Sequence, residues 1–153
     1  MTDPNACASI TIDADPATIF AILTDPRQHA RIDGSGTVKG AVSGDTELRL
    51  GSEFRMDMNM GAPYKINNKV VEYEPDSLIA WRHMGLHRWR YELVPAGAGG
   101  AQTTVTETWD VSAYPRVVAK LFSRAFGSRT QKSIEQTLDR LKDAAESDAR
   151  AAA

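Results

Sequence analysis

"AWRHMGLHRWRYEL", residues 80–93, puts three arginines, two histidines, two tryptophans and a tyrosine into fourteen positions, and its reading decides the fold. Spacing alone gives His83 and His87 an H-x3-H pattern, which on a helix sets two zinc ligands on one face. Alternation gives a different answer. Trp89, Tyr91 and Leu93 separate from Arg88, Arg90 and Glu92 at period two, as in a strand with one dry and one wet face. Upstream, Ile79, Trp81 and His83 alternate in the same way with Leu78, Ala80 and Arg82. Met84-Gly85-Leu86 breaks the two runs, so the stretch reads as an antiparallel hairpin.

The loop has to keep both aromatic sets on one face. Residues paired across a hairpin share a face, so a two-residue loop at Gly85-Leu86 would oppose Trp81 to Arg90 and mix the faces. An odd loop such as Gly85-Leu86-His87 pairs His83 with Trp89 and Trp81 with Tyr91. The odd loop, or a bulge with the same effect, is the prediction.

Working outward, strand-like runs cover about residues 37–111, broken at Gly44-Asp45, Gly61-Ala62-Pro63, Pro75-Asp76 and the Ala/Gly run 96–101, which implies about six strands. In "EFRMDMNM", residues 53–60, Phe54, Met56, Met58 and Met60 face one way and Arg55, Asp57 and Asn59 the other. Before this region, residues 6–14 alternate as a strand. Then Asp15-Pro16 and Asp25-Pro26, with Gln28 at N3, open two short helices. After it, helical period returns in 116–126 and again in about 128–148, with Gly127 ending the first and Ser128 and Gln131 capping the second. Ile134, Leu138, Leu141 and Ala145 form one apolar stripe on the second helix, and "SDARAAA" is expected to fray.

This order is α+β: one strand, two short helices, about six antiparallel strands, and a long C-terminal helix packed on one face of a curved sheet. It resembles the helix-grip fold of the START-like, or SRPBCC, superfamily, in its polyketide cyclase/dehydrase-like branch. "ITIDADPATIFAILTDP" (10–26) is similar to that family's opening strand and helix and "VVEYEPDSLIAWRH" (70–83) to its paired middle strands. "TTVTETWDV" (103–111) resembles its last strand and "SIEQTLDRLKDAAE" (133–146) its closing helix. The resemblance implies a single START-like ligand-binding domain over residues 1–153, with about seven strands around the long helix. It also implies an apolar cavity between sheet and helix that holds a hydrophobic ligand.

The residues say what such a cavity would contain. Trp81, Trp89, Tyr91, Trp109, Phe54, Met56 and Met58 supply apolar lining, although the methionines serve equally as core filler. On 102–111 the inward set is Val105, Glu107, Trp109 and Val111, so one carboxylate points inside. A buried carboxylate needs a partner or takes up a proton. His83 is the candidate partner, and these two are also the candidate acid-base residues. A structural pair at a wet rim is the alternative.

Composition narrows the rest. The 153 residues carry a net charge of −2, which offers no global attraction for a nucleic-acid backbone. Cys7 is the single cysteine, no signal-peptide pattern opens the chain, and no run approaches the roughly 18 apolar residues of a membrane span. A cytoplasmic protein, monomeric or homodimeric, is expected. His29 is the only histidine besides the hairpin pair, and there is no G-x-S-x-G elbow, so no metal or other cofactor is expected. Asp33-Gly34-Ser35-Gly36 reads as a turn, or as an anion-binding nest at the cavity mouth. Segment 115–132 carries Arg116, Lys120, Arg124, Arg129 and Lys132 with no acidic residue. It is an edge helix, or a surface for transient membrane contact.

The expected function is binding of a hydrophobic or aromatic small molecule, lipid-like or polyketide-like. The alternatives are a polyketide cyclase or aromatase-type enzyme and reversible lipid transfer at a membrane surface.

Overall fold

The computed structural model describes residues 3–153, with Val42 described in its backbone alone. Among the described residues the elements follow the expected order. β1 (Ala6–Ile12) leads into α1 (Pro16–Leu23), a 3-10 turn (Pro26–Gln28) and α2 (His29–Ile32). Six strands follow: β2 (Val38–Gly44), β3 (Glu53–Asn59), β4 (Pro63–Glu74), β5 (Leu78–Arg82), β6 (Arg88–Ala96) and β7 (Gln102–Asp110). The chain closes with α3 (Arg116–Ala152). The seven strands form one curved antiparallel sheet in the order β1-β7-β6-β5-β4-β3-β2, a meander whose first strand joins the last.

The helix starts obey local chemistry. Asp15 Oδ1 accepts from the Thr18 N–H at 2.8 Å with Pro16 at the first helical position, and Asp25 Oδ1 accepts from the Arg27 N–H at 3.0 Å. Gln28 departs from the expected cap, since its side-chain oxygen accepts from Arg31 instead.

α3 corrects three expectations. It is one continuous helix of 37 residues, about 55 Å long, with neither a stop at Gly127 nor frayed turns before Ala152. A lone glycine costs a helix only about 1 kcal/mol, and the Ala, Leu, Arg, Lys and Gln around it absorb that cost. Gln131 does not cap a helix start either. Its Nε2 donates to the Cys7 carbonyl at 2.8 Å and its Oε1 accepts the Cys7 N–H at 3.1 Å. Further along, Lys142 donates to the Thr11 carbonyl at 2.9 Å and Glu146 accepts the Asp13 N–H at 3.0 Å. Side chains of α3 thus satisfy the open edge of β1, which would otherwise present unpaired backbone groups.

Ile134, Leu138, Leu141 and Ala145 are buried as the stripe predicts, and with Ile12, Ile19, Leu23 and Val105 they close the core. Burying each large aliphatic side chain contributes roughly 1.5–3 kcal/mol, so the C-terminal half of α3 holds the helix down. Its N-terminal half is different: Val117, Leu121 and Phe126 are exposed. On the outer face of the sheet, Arg88 bridges Glu72 and Asp110 while Arg90 bridges Glu72 and Glu92, which accounts for the outward arginines of the hairpin.

The hairpin register is odd, as the face argument requires, but the loop is longer than expected. β5 and β6 pair Trp81 with Trp89 and Ile79 with Tyr91, leaving residues 83–87 as a five-residue connection after the last inward pair. The pairings of His83 with Trp89 and Trp81 with Tyr91 are therefore shifted by two residues. A two-residue shift preserves the side-chain faces, so the aromatic wall survives it.

Candidate ligand-binding cavity

The register lays side chains in rows across the inner face. Trp81, Trp89 and Trp109 sit directly opposite one another on β5, β6 and β7, with Val70 beyond on β4 and Ala6 on β1. The next row carries Ile79, Tyr91, Glu107 and Ala8. Facing these rows lies α3, and between them is a cavity of about 480 Å³. That volume falls in the range of small-molecule sites. The nine residues singled out in the sequence, Phe54, Met56, Met58, Trp81, His83, Trp89, Tyr91, Glu107 and Trp109, all line it. The chain has three tryptophans, and all of them are on this wall.

Ring contacts make the wall stiff. Trp81 stacks on His29 at 4.8 Å between centroids, meets Phe54 edge-on at 5.8 Å and lies 5.4 Å from Tyr91. His29 is buried, its Nε2 lies 2.9 Å from the Leu23 carbonyl, and burial holds its pKa below the ordinary value. The acceptor is a carbonyl, so this nitrogen carries a proton, and burial disfavours a second one on the ring.

Glu107 is the polar centre of the site. It is 2% exposed, and its Oε1 accepts a hydrogen bond from the Tyr91 hydroxyl at 2.8 Å. Its Oε2 is buried without a hydrogen-bond partner. Burial, with a further push from the Asp33 carboxylate, raises its pKa to about 8 against the lowering effect of the Tyr91 bond. The carboxyl is thus protonated at neutral pH. Tyr91 is likewise held neutral, its pKa raised by burial and by Glu107.

Tyr91, and not His83, is the partner of Glu107. The tyrosine stands directly across the β6–β7 ladder, whereas the longer loop carries His83 away from that position. His83 keeps its Nδ1 buried and unpartnered, and burial together with His87 lowers its pKa to about 4. His83 and His87 meet edge-on at 5.2 Å in this loop.

Two glycines bring the walls together. Gly85 has a φ of +81°, and a Cβ there would lie 2.2 Å from the Tyr114 hydroxyl, so only glycine lets the loop close on that residue. The Tyr114 hydroxyl accepts the Leu86 N–H at 2.9 Å and lies 3.1 Å from His87 Nδ1, fixing the loop at the rim. Gly34 packs its backbone on α3: a Cβ would sit 2.5 Å from the Thr137 nitrogen, and the Gly34 N–H donates to Thr137 Oγ1 at 2.9 Å. Asp33 and Ser35 both line the cavity, as their position suggested. The Asp33 carboxylate is occupied within the turn by the Ser35 and Val38 N–H groups and the Ser35 hydroxyl.

The mouth is rimmed by exposed Met60 and Met84 from the strand connections, Tyr64 at the start of β4 and Phe126 from α3. Arg129 is the cationic Lys or Arg side chain among the lining residues. Sequence reasoning passed over Asn68, Thr137 and His29 as lining. The first two are buried polar residues on strand and helix faces that read as ordinary, and His29 was weighed only as a metal ligand.

Comparison with known proteins agrees with this architecture. Residues 5–146 match the family described as polyketide cyclase / dehydrase and lipid transport. The chain belongs to that family. Its curated relatives include an uncharacterized protein of Mycobacterium tuberculosis, Rv0088, 37% identical over 139 residues that make up 88% of this chain and 61% of that protein. The chain therefore spans about three fifths of the length of the curated relatives it matches. Among solved structures, the Aha1 dimer from Colwellia psychrerythraea superposes with a TM-score of 0.64 at 19% identity, covering 95% of this chain and 97% of that one. Protein NE0264 from Nitrosomonas europaea gives 0.69 at 13% identity, covering 96% and 98%. At these identities the structures establish the helix-grip fold. Polyketide cyclase / dehydrase family membership and this fold together suggest a domain that binds hydrophobic ligands. Among the described residues no helix is long and apolar enough to cross a membrane.

Proposed function

We propose that the protein binds a hydrophobic, largely aromatic small molecule between the sheet and α3, with the Trp81, Trp89 and Trp109 row as its stacking surface. The observation that carries this reading is the row itself. Three tryptophans on adjacent strands border a cavity of about 480 Å³, where tighter packing would have filled the space with side chains. Phe54, Met56 and Met58 on β3 continue the apolar lining along the same curved sheet, and flexible methionines suit a ligand of irregular outline. Glu107 and His83 are among the polar side chains of the lining that can orient it. Native mass spectrometry of freshly purified protein should show an apolar small molecule that is removed by organic extraction. Protein free of ligand that also fails to take up aromatic hydrocarbons would overturn the reading.

A route of exchange at an anionic membrane surface accompanies this function. Val117 and Leu121 are exposed on one face of the stretch of α3 that carries five basic and no acidic residues, while Phe126, nearly half a turn round the helix, borders the cavity. Such a face partitions to anionic interfaces. Co-sedimentation with phosphatidylserine vesicles should occur and should weaken on charge reversal at Lys120 and Arg124. Equal sedimentation of the charge-reversed variant would reject the surface. A cyclase-type turnover would draw on the same cavity, with protonated Glu107 as its acid. In that case Glu107→Gln would abolish turnover of a polyketide and leave its binding intact.

A further inference from the structure

Glu107 has two oxygens in different circumstances. Oε1 is committed to the Tyr91 hydroxyl, and Oε2 is buried, unpartnered and part of a residue that lines the cavity. A buried carboxyl oxygen without a partner is unfavourable unless something in the cavity satisfies it. The neighbours restrict what that can be. Across the ladder on β1 stands Ala8, which has no polar side chain, and on β6 stands Tyr91, already donating. From the turn after α2 comes Asp33, a second acid, and the hairpin loop contributes His83 and His87, both held toward the neutral form by burial. α3 contributes Arg129, which is exposed, and Thr130, Ser133 and Thr137. Among the described residues no buried Lys or Arg lines the cavity to neutralise either an ionised Glu107 or an anionic ligand group brought next to it.

With no buried cation and Tyr91 on the other oxygen, the proton belongs on Oε2, where it is free to be donated to an acceptor brought into the cavity. We infer that the ligand is uncharged at its inner end and places a hydrogen-bond-accepting oxygen, a ketone, quinone or aryl carbonyl, against Glu107 Oε2. A carboxylate end, as in a fatty acid, would face an acidic pair and an unfavourable burial. An ammonium end would require Glu107 to ionise. This inference rests on the cavity being a ligand site and adds the polarity of what enters first.

The fluorene skeleton tests it, because one aromatic frame can carry each group: fluorene, 9-fluorenone, fluorene-9-carboxylate and (fluoren-2-yl)methylamine. The readout is the ratio of association constants of 9-fluorenone to fluorene, measured by calorimetry at pH 6.5 and 9.5, since the ratio cancels shared burial. In the wild type the ratio should fall roughly tenfold between these pH values, as a neutral hydrogen bond of ordinary net strength is lost. In Glu107→Gln, whose amide still donates, the ratio should be independent of pH. In Glu107→Leu it should be low at both values while fluorene still binds, and circular dichroism confirms that the variant folds. If Glu107→Leu does not fold, the wild-type pH series and Glu107→Gln decide. A ratio unchanged by pH while fluorene binds overturns the inference and leaves the cavity reading standing. So does tighter binding of the carboxylate, or of the ammonium with affinity rising from pH 6.5 to 8. Failure of fluorene itself to bind overturns both.

Discussion

The Tyr91 hydroxyl lies 2.8 Å from Glu107 Oε1, directly across the β6–β7 ladder, and this pair places a neutral carboxyl inside an aromatic cavity. Stability, ligand polarity and the pH behaviour of the fold all depend on it.

Glu107 should make the protein less stable in mild alkali. Unfolded, the carboxyl titrates near its ordinary value of 4.5; folded, it titrates at about 8. Between these values the native state holds a proton that the unfolded chain has released, so stability is full below the lower value and is lost as pH rises through the upper. His29, His83 and His87 act in the other direction, because burial lowers their pKa values; their contribution is present above 6.5 and lost as pH falls. The window from pH 6.5 to 8 therefore belongs to Glu107. Urea unfolding should show a loss on the order of 1–2 kcal/mol across it, and Glu107→Gln should remove that slope. A flat wild-type profile would contradict the burial of a protonated carboxyl.

Tyr91→Phe removes the bond that favours the ionised carboxylate. The Glu107 pKa should then rise further, and the alkaline decline in stability should move to higher pH. The variant should also be less stable by about 1–2 kcal/mol at neutral pH, since a buried oxygen loses its donor. A decline that moved to lower pH would mean that the hydroxyl does not donate to Glu107.

Gly34→Ala should destabilise by about 1–3 kcal/mol, because the added methyl meets the backbone nitrogen of Thr137 at 2.5 Å and the Gln136 Cβ at 2.6 Å, neither of which can swing aside. The same substitution at Gly36, where a Cβ meets nothing within 4 Å, lacks that clash and is strained only by its φ of +73°. Thermal melts of the two variants separate contact from conformation.

Gly127→Ala should stabilise by about 0.5–1 kcal/mol, because α3 runs through this position and a Cβ there would make only an ordinary contact with Ser123 Oγ at 3.4 Å. Destabilisation would mean that the helix bends or opens at Gly127 in solution.

The strand faces were legible because period-two alternation survives any even shift in pairing. Trp81, Trp89, Tyr91, Glu107 and Trp109 could be placed on the inner wall without the loop length. The partner of Glu107 was not legible, since it depends on the register itself, and the five residues 83–87 moved His83 two positions from where a three-residue loop would put it. Gly127 misled for another reason. Local signals mark it as a stop, but a glycine penalty of about 1 kcal/mol is small beside strong helix formers and the packed turns after Ser133. Gln131 was invisible as an edge cover, because its partner Cys7 is 124 residues away in sequence. The nine lining residues came from alternation, whereas His29 and Thr137 are brought to the cavity by contacts between elements that carry no local pattern.

The central claim is that the cavity between the sheet and α3 takes an aromatic ligand against the tryptophan row. The most direct measurement follows the three indole N–H signals by nitrogen-proton NMR during titration with fluorene. All three tryptophans line the cavity, so the account predicts that all three signals shift together and saturate at one equivalent, while the exposed Gly97 and Gly99 amides stay still. Indole signals that remain unchanged through saturation of the solution with fluorene would contradict it.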